Sequence, residues 1–266
     1  MNRIKSGDAD ISYEVTGKGP DLVLLHPFPA NHAFWLPVAE ALATRYRVIM
    51  PDLRGHGESA PGSSPATMDK HAADLACICR ELGVGRAVFA GVSIGGYVVF
   101  EFWRRDRARV AGLVLSDTKA AADTDEARIS RLKSADDVEK HGAEQFIEAQ
   151  IPRLLGDTTR TTRPDKVDTA RQMMRKMTVQ GIAAVQRGMA ERPDSTLTLG
   201  TINVPTLLIF GQEDVLTTPE EGRGIQQRIP GSSLQIIPRA GHYAMFEQPE
   251  DAVKILRPWL DSLPRW

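Results

Sequence analysis

One short stretch of this 266-residue chain sets a hydroxyl between glycines: Gly91-Val92-Ser93-Ile94-Gly95-Gly96. A serine hydroxyl is a weak nucleophile until a base takes its proton, so it needs a histidine and a carboxylate in reach. Six histidines are available, at 26, 32, 56, 71, 141 and 242. His242 lies in Pro238-Arg239-Ala240-Gly241-His242-Tyr243, directly after the last apolar run that reads as a strand. The other five have structural explanations. His71 and His141 fall in helical patterns and should face solvent, and His32 should begin a helix. His56 sits in the glycine loop Arg54-Gly55-His56-Gly57, and His26 should pin its own loop through side-chain hydrogen bonds. A base also needs a carboxylate to fix its tautomer and stabilise the imidazolium. Asp214 follows the apolar run Thr206–Phe210 through Gly211-Gln212-Glu213 and is the expected partner of His242. Glu213 should point the other way. Asp117, after the preceding run, is the rival.

The serine motif has the surroundings its chemistry requires. The apolar run Ala87–Gly91 precedes it and the helical pattern Ile94–Arg105 follows it. In such a strand-to-helix turn the nucleophile is strained and lifted clear of the sheet, and glycines on either side remove colliding side chains. The helix N-terminus then offers N–H groups to developing negative charge. One oxyanion donor should be the N–H of Ile94. The second should come from His26-Pro27-Phe28-Pro29, where Pro27 has no N–H and Phe28 is the candidate. Each such donor typically stabilises a transition state by about 3 kcal/mol. Other glycine-motif readings fail. A dinucleotide fingerprint needs glycine at position 93, and no Gly-Lys-Ser/Thr follows to make a phosphate loop.

The elements that hold these residues alternate. Asp10–Val15 alternates polar and apolar residues and reads as an antiparallel strand. Continuous apolar runs at Asp21–His26, Tyr46–Met50, Ala87–Gly91, Val110–Leu115, Thr206–Phe210 and Leu234–Ile237 suit strands covered on both faces. Helical patterns at Ala33–Ala43, Thr67–Leu82, Ile94–Arg105, Glu220–Arg228 and Pro249–Leu260 lie between and after them. This order implies right-handed crossovers and a mostly parallel, doubly wound sheet, an α/β fold. The rhythm breaks after Leu115-Ser116-Asp117. Helical patterns at Thr124–Lys133, Ala135–Ile147, Pro164–Thr178 and Gly181–Glu191 fill the gap before Thr206. We expect a helical cap at 119–198, with 1–118 and 199–266 as the two parts of one core.

Composition narrows the partners. A formal net charge of -1 gives no electrostatic case for nucleic acid or an anionic membrane. No apolar run approaches the ~20 residues of a membrane span, and Met1–Asp8 lacks the apolar core of a signal peptide. Cys77 and Cys79 sit two apart in a helical pattern, point to different faces, and should be unpaired thiols in a reducing cytoplasm. No metal-ligand cluster is visible, and the chemistry above needs no cofactor.

The motifs together resemble the α/β-hydrolase superfamily over essentially the whole chain. The marks are His26-Pro27-Phe28-Pro29, Asp52-Leu53-Arg54-Gly55-His56-Gly57-Glu58-Ser59, the Ser93 motif, Phe210-Gly211-Gln212-Glu213-Asp214 and Ala240-Gly241-His242. With Leu115-Ser116-Asp117-Thr118-Lys119-Ala120, the chain is similar to the branch of 3-oxoadipate enol-lactonases and small carboxylesterases. Pro27 departs from the glycine many members carry there. The resemblance implies a serine hydrolase acting on a small-molecule ester, or on a lactone. Cofactor-free haloperoxidases and slow, receptor-like members share the same three residues. Phe28, Phe34, Trp35, Ile94 and Tyr243 are the expected pocket liners, with Phe34 and Trp35 equally readable as core of the first helix. Segment 152–176 holds seven Lys/Arg against three Asp. It reads as a solvated helical face, and alternatively as a receiver for a substrate carboxylate.

Overall fold

The computed structural model describes residues 1–264. An eight-stranded sheet runs through it in the order β1-β2-β4-β3-β5-β6-β7-β8. β1 (Asn2–Ser6), β2 (Ala9–Thr16) and β4 (Arg47–Pro51) are antiparallel neighbours. β3 (Asp21–Leu25), β5 (Ala87–Val92), β6 (Val110–Ser116), β7 (Thr206–Gly211) and β8 (Ser233–Ile237) continue in parallel. The expected mostly parallel, doubly wound α/β sheet is present.

The apolar runs are explained by two-sided cover. Val23, Leu25, Phe89 and Leu113 pack in one core layer, with Leu75 and Ile78 of α2 (Met68–Glu81) and Val98 and Phe102 of α3 (Ile94–Asp106). The alternate residues Leu22, Leu24, Val88 and Val114 pack in the other. Their partners are Val38 and Leu42 of α1 (Leu36–Leu42) and Leu256 and Leu260 of α12 (Pro249–Ser262). Period-two alternation sends neighbouring strand residues to opposite layers, and both are apolar.

Between β6 and β7 lie six helices: α4 (Asp125–His141), α5 (Glu144–Leu154), α6 (Asp157–Thr162), α7 (Pro164–Met174), α8 (Val179–Ala190) and the short α9 (Thr196–Leu199). α10 (Pro219–Gln226) and α11 (Ala244–Glu247) flank the last strands.

Four local expectations need correction. β1 goes unread because Asn2-Arg3-Ile4-Lys5 has one apolar residue; it is an edge strand, turned into β2 at Gly7 with φ 56°. The break expected near Ser134 is absent, since no glycine or proline interrupts the helix until Gly142, at φ 84°. Thr178 does not end a helix but caps the next one, its Oγ1 accepting from Gly181 N. His71 is buried at 1% exposure instead of facing solvent. It falls on the inward stripe of α2 with Met68, Leu75 and Ile78, a helical spacing the sequence already displayed.

Candidate active site

Ser93 sits between β5 and α3 with φ 54° and ψ −116°. Few non-glycine residues adopt this conformation, and such strain persists only where neighbours enforce it. They do so here. Ser93 N donates to Ser116 O at 3.0 Å, and Thr118 Oγ1 donates to Ser93 O at 2.8 Å. A Cβ on Gly91 would strike the backbone of Gly95, and one on Gly95 would strike the Leu25 carbonyl. The turn closes only with glycine at both positions.

The loop after β7 presents Asp214. Its Oδ1 accepts from Leu216 N at 2.7 Å and Thr217 N at 3.0 Å. Its Oδ2 accepts from Thr217 Oγ1 and from His242 Nδ1, the latter at 2.8 Å. Burial pushes this carboxyl up, but the His242 charge and hydrogen bond and the Thr217 donors outweigh it and hold the group below the usual carboxylate range. Asp214 thus accepts from His242 Nδ1, and His242 Nε2 has no hydrogen bond among the described residues. The side chains of Ser93 and His242 line one cavity. No hydrogen bond joins them among the described residues; catalytic contacts are often open before substrate binds.

Among the described residues, no hydrogen bond joins Asp117 or Glu213 to His242. Asp117 points at Gly211 N, at 2.7 Å. Glu213 turns away and accepts from Thr158 N at 2.8 Å. Burial and the charge of Asp214 push the Asp117 carboxyl well above its usual range.

The loop after β3 carries His26 and Phe28. His26 accepts from Leu53 N at Nε2, at 2.9 Å, so its proton is on Nδ1 and donates to Pro27 O, also at 2.9 Å. Burial lowers its pKa to about 4. His26 therefore pins the loop as a neutral ring, as the sequence suggested. Phe28 lines the cavity. Neither its N–H nor that of Ile94 has an acceptor among the described residues.

Two supporting residues escaped the sequence reading. Thr217 Oγ1 lies 3.0 Å from His242 Nδ1 and also donates to Asp214, so it touches both. Its signal was the spacing Asp214-Val215-Leu216-Thr217, an aspartate that caps its own turn. Glu247 is 1% exposed; it accepts from Gly241 N at 2.9 Å and Gly156 N at 2.8 Å. It ties the His242 loop to the turn between α5 and α6. A lone glutamate at the end of a short helix gives no sequence signal for this.

Comparison with known proteins places the chain. Residues 20–249 match the family model described as the alpha/beta hydrolase fold. The chain belongs to the α/β-hydrolase family. An esterase from Thermogutta terrifontis, solved with malate bound, is 40% identical with a TM-score of 0.95, covering 98% of each chain. 3-Oxoadipate enol-lactonase 1 of Acinetobacter baylyi is 27% identical over 95% of this chain and 94% of its own. A pimeloyl-[acyl-carrier protein] methyl ester esterase of Nitrosomonas europaea is 30% identical over 92% of this chain and 97% of its own. The chain is accordingly an enzyme of the esterase and lactonase kind.

The pocket of this hydrolase differs from the expected one. It is a cavity of about 300 Å³. Phe34, Trp35 and Tyr243 are each 0% exposed. The Phe34 ring meets those of Trp35 and Tyr243 edge-on, both at 5.2 Å, so all three are core. The Tyr243 hydroxyl acts from behind, donating to Phe28 O at 3.3 Å. The cavity wall comes instead from α4, α5, α8 and the Asp214 loop, through residues such as Arg131, Arg153, Met189 and Leu216. Most cations of segment 152–176 are spent on surface pairs, including Arg163 with Asp165 and Arg171 with Glu148. No helix among the described residues is long and apolar enough to cross a membrane.

Proposed function

We propose that this hydrolase cleaves small carboxylic esters through an acyl-enzyme on Ser93, with His242 as base and Asp214 as its orienter. The observation that carries the reading is one cavity lined by a strained Ser93 and by a His242 whose Nδ1 is bonded to Asp214 at 2.8 Å. His242 Nε2 takes the Ser93 proton as Oγ attacks the ester carbonyl. The tetrahedral oxyanion forms against the N–H groups of Phe28 and Ile94, which have no acceptor among the described residues. Collapse expels the alcohol, which takes its proton from His242. Water, deprotonated by His242, attacks the acyl-enzyme; collapse breaks the acyl–Oγ bond, His242 returns the proton to Ser93 Oγ, and the acid is released. These steps use protein groups throughout.

We take residues 119–198 as a cap whose α4, α5 and α8 roof the cavity, set on a core made of 1–118 and 199–266. A lactone is the second substrate to test, favoured by the enol-lactonase relative. Lactone opening uses the same steps, except that the alcohol stays attached to the acyl group.

Turnover of p-nitrophenyl acetate by the purified chain and by Ser93→Ala tests the reading. The variant should lose nearly all activity and keep its circular dichroism spectrum. Unchanged turnover in Ser93→Ala would remove Ser93 from the chemistry.

A further inference from the structure

The charge of the cavity wall is unlike that of the protein as a whole. Formal net charge is -1 over the chain. Yet the cavity lining holds the cations Lys119, Arg131 and Arg153 and the single carboxylate Asp123. That carboxylate is already shared. Arg131 Nε lies 2.5 Å from its Oδ2, and the buried Arg192 lies 2.9 Å from its Oδ1. Arg192 also lies over the Tyr97 ring at 4.2 Å, a second cation just behind the wall.

Arg153 is different. It has no ion pair and no hydrogen bond among the described residues, whereas Arg160, Arg163, Arg171 and Arg175 of the same segment each have a carboxylate partner. Lys119 is nearly as free, with Glu221 3.9 Å away at the outer edge of ion-pair range. Gln150, Ser130 and Ser134 add neutral hydrogen-bonding groups to the same wall. Arg153 is exposed where it lines the cavity, and its guanidinium presents a planar pair of donors suited to a carboxylate.

We propose that Arg153, assisted by Lys119, binds a carboxylate borne by the substrate, so that the preferred substrates are small esters or lactones that also carry a free acid group. The proposal rests on hydrolysis at Ser93 and adds a recognition site on α5 to it. The anion is held at the guanidinium while the neutral ester carbonyl reaches Ser93. Arg153 is a specificity residue and takes no part in bond breaking.

The test uses two esters of matched size, monoethyl succinate and ethyl butyrate, with acid release followed by pH-stat. The wild-type chain should favour the succinate half-ester. Arg153→Gln should lower kcat/KM for it by about tenfold or more, the loss of one charge-assisted contact, mainly through KM. Ethyl butyrate should change less than about twofold in the same variant, as expected where no charged contact is lost. Arg153→Lys should restore part of the loss. Parallel falls on both esters, or no fall on the half-ester, would overturn the proposal. A second readout is independent of turnover: calorimetric titration of succinate into Ser93→Ala, with and without Arg153→Gln. Weaker binding in the double variant supports the site even if neither ester is hydrolysed, in which case the hydrolytic reading alone fails. Equal binding rejects the site whatever the activity.

Discussion

The carboxyl of Asp117 accepts the Gly211 N–H at 2.7 Å, and that bond joins the strand end behind Ser93 to the loop that presents Asp214. Asp117 is fully buried and holds φ at 43°, in the left-handed region. Ser116, its neighbour, receives Ser93 N, and Thr118, on the other side, donates to Ser93 O. Residues 116–118 thus act as a strap between Ser93 and the start of the Asp214 turn. Burial and the nearby Asp214 push the Asp117 carboxyl well above its usual range.

Two substitutions separate shape from charge at this position. Asp117→Asn keeps an acceptor for Gly211 N and a neutral side chain. It should leave the pH–rate profile in place and cost little stability. Asp117→Ala orphans a buried N–H and should cost about 1–3 kcal/mol in urea unfolding. A shift of the acidic limb in Asp117→Asn would show that the native group is charged.

Asp214 and Thr217 should differ sharply in their kinetic signatures. Asp214→Asn preserves size but removes the ionised acceptor at His242 Nδ1 and should lower kcat by about 10⁴-fold. Thr217→Val keeps the carboxylate and removes one of its donors, for a loss on the order of tenfold, with Thr217→Ser recovering most of it. Steady-state assays on purified variants read both effects.

Acid stability should be set by three buried rings. Burial pushes His26 down to about 4 and His71 to about 3, and His56 well below the ordinary value. Their pKa values are depressed on folding, so the stability they confer is complete above the unfolded value of about 6.5. As pH falls from there the unfolded chain takes up protons that the native state refuses, and stability declines until the native rings titrate. Each ring contributes a slope of up to about 1.4 kcal/mol per pH unit over that window. Burial is the largest cause of the His71 shift. His71→Leu should therefore flatten the fall of Tm between pH 6.5 and 4. An unchanged slope in that variant would show that His71 is not one of the titrating groups.

The parallel strands, the Ser93 turn and the meeting of Asp214 with His242 were legible because each follows from local chemistry: apolar runs, a glycine-flanked serine, loops at one sheet edge. The pocket was not legible. Phe34 and Trp35 are aromatic and near the oxyanion loop in sequence, but their helix turns them into the core against Tyr243. The wall comes from helices far along the chain, whose placement depends on tertiary contacts such as Tyr243 N to Leu154 O at 3.1 Å and Glu247 to Gly156. Cation counting in segment 152–176 could not tell Arg153 from its paired neighbours, because pairing is a property of the folded surface.

The central claim is that Ser93 carries the acyl group, and trapping that intermediate tests it most directly. The chain is mixed with p-nitrophenyl acetate, quenched in acid within the first turnovers, digested, and its peptides are read by mass spectrometry. The mechanism predicts an acetyl group on the peptide containing Ser93, more of it in His242→Gln if deacylation slows more than acylation, and none in Ser93→Ala. An acetyl group on a different residue during productive turnover, or turnover by Ser93→Ala at the wild-type rate, would contradict it.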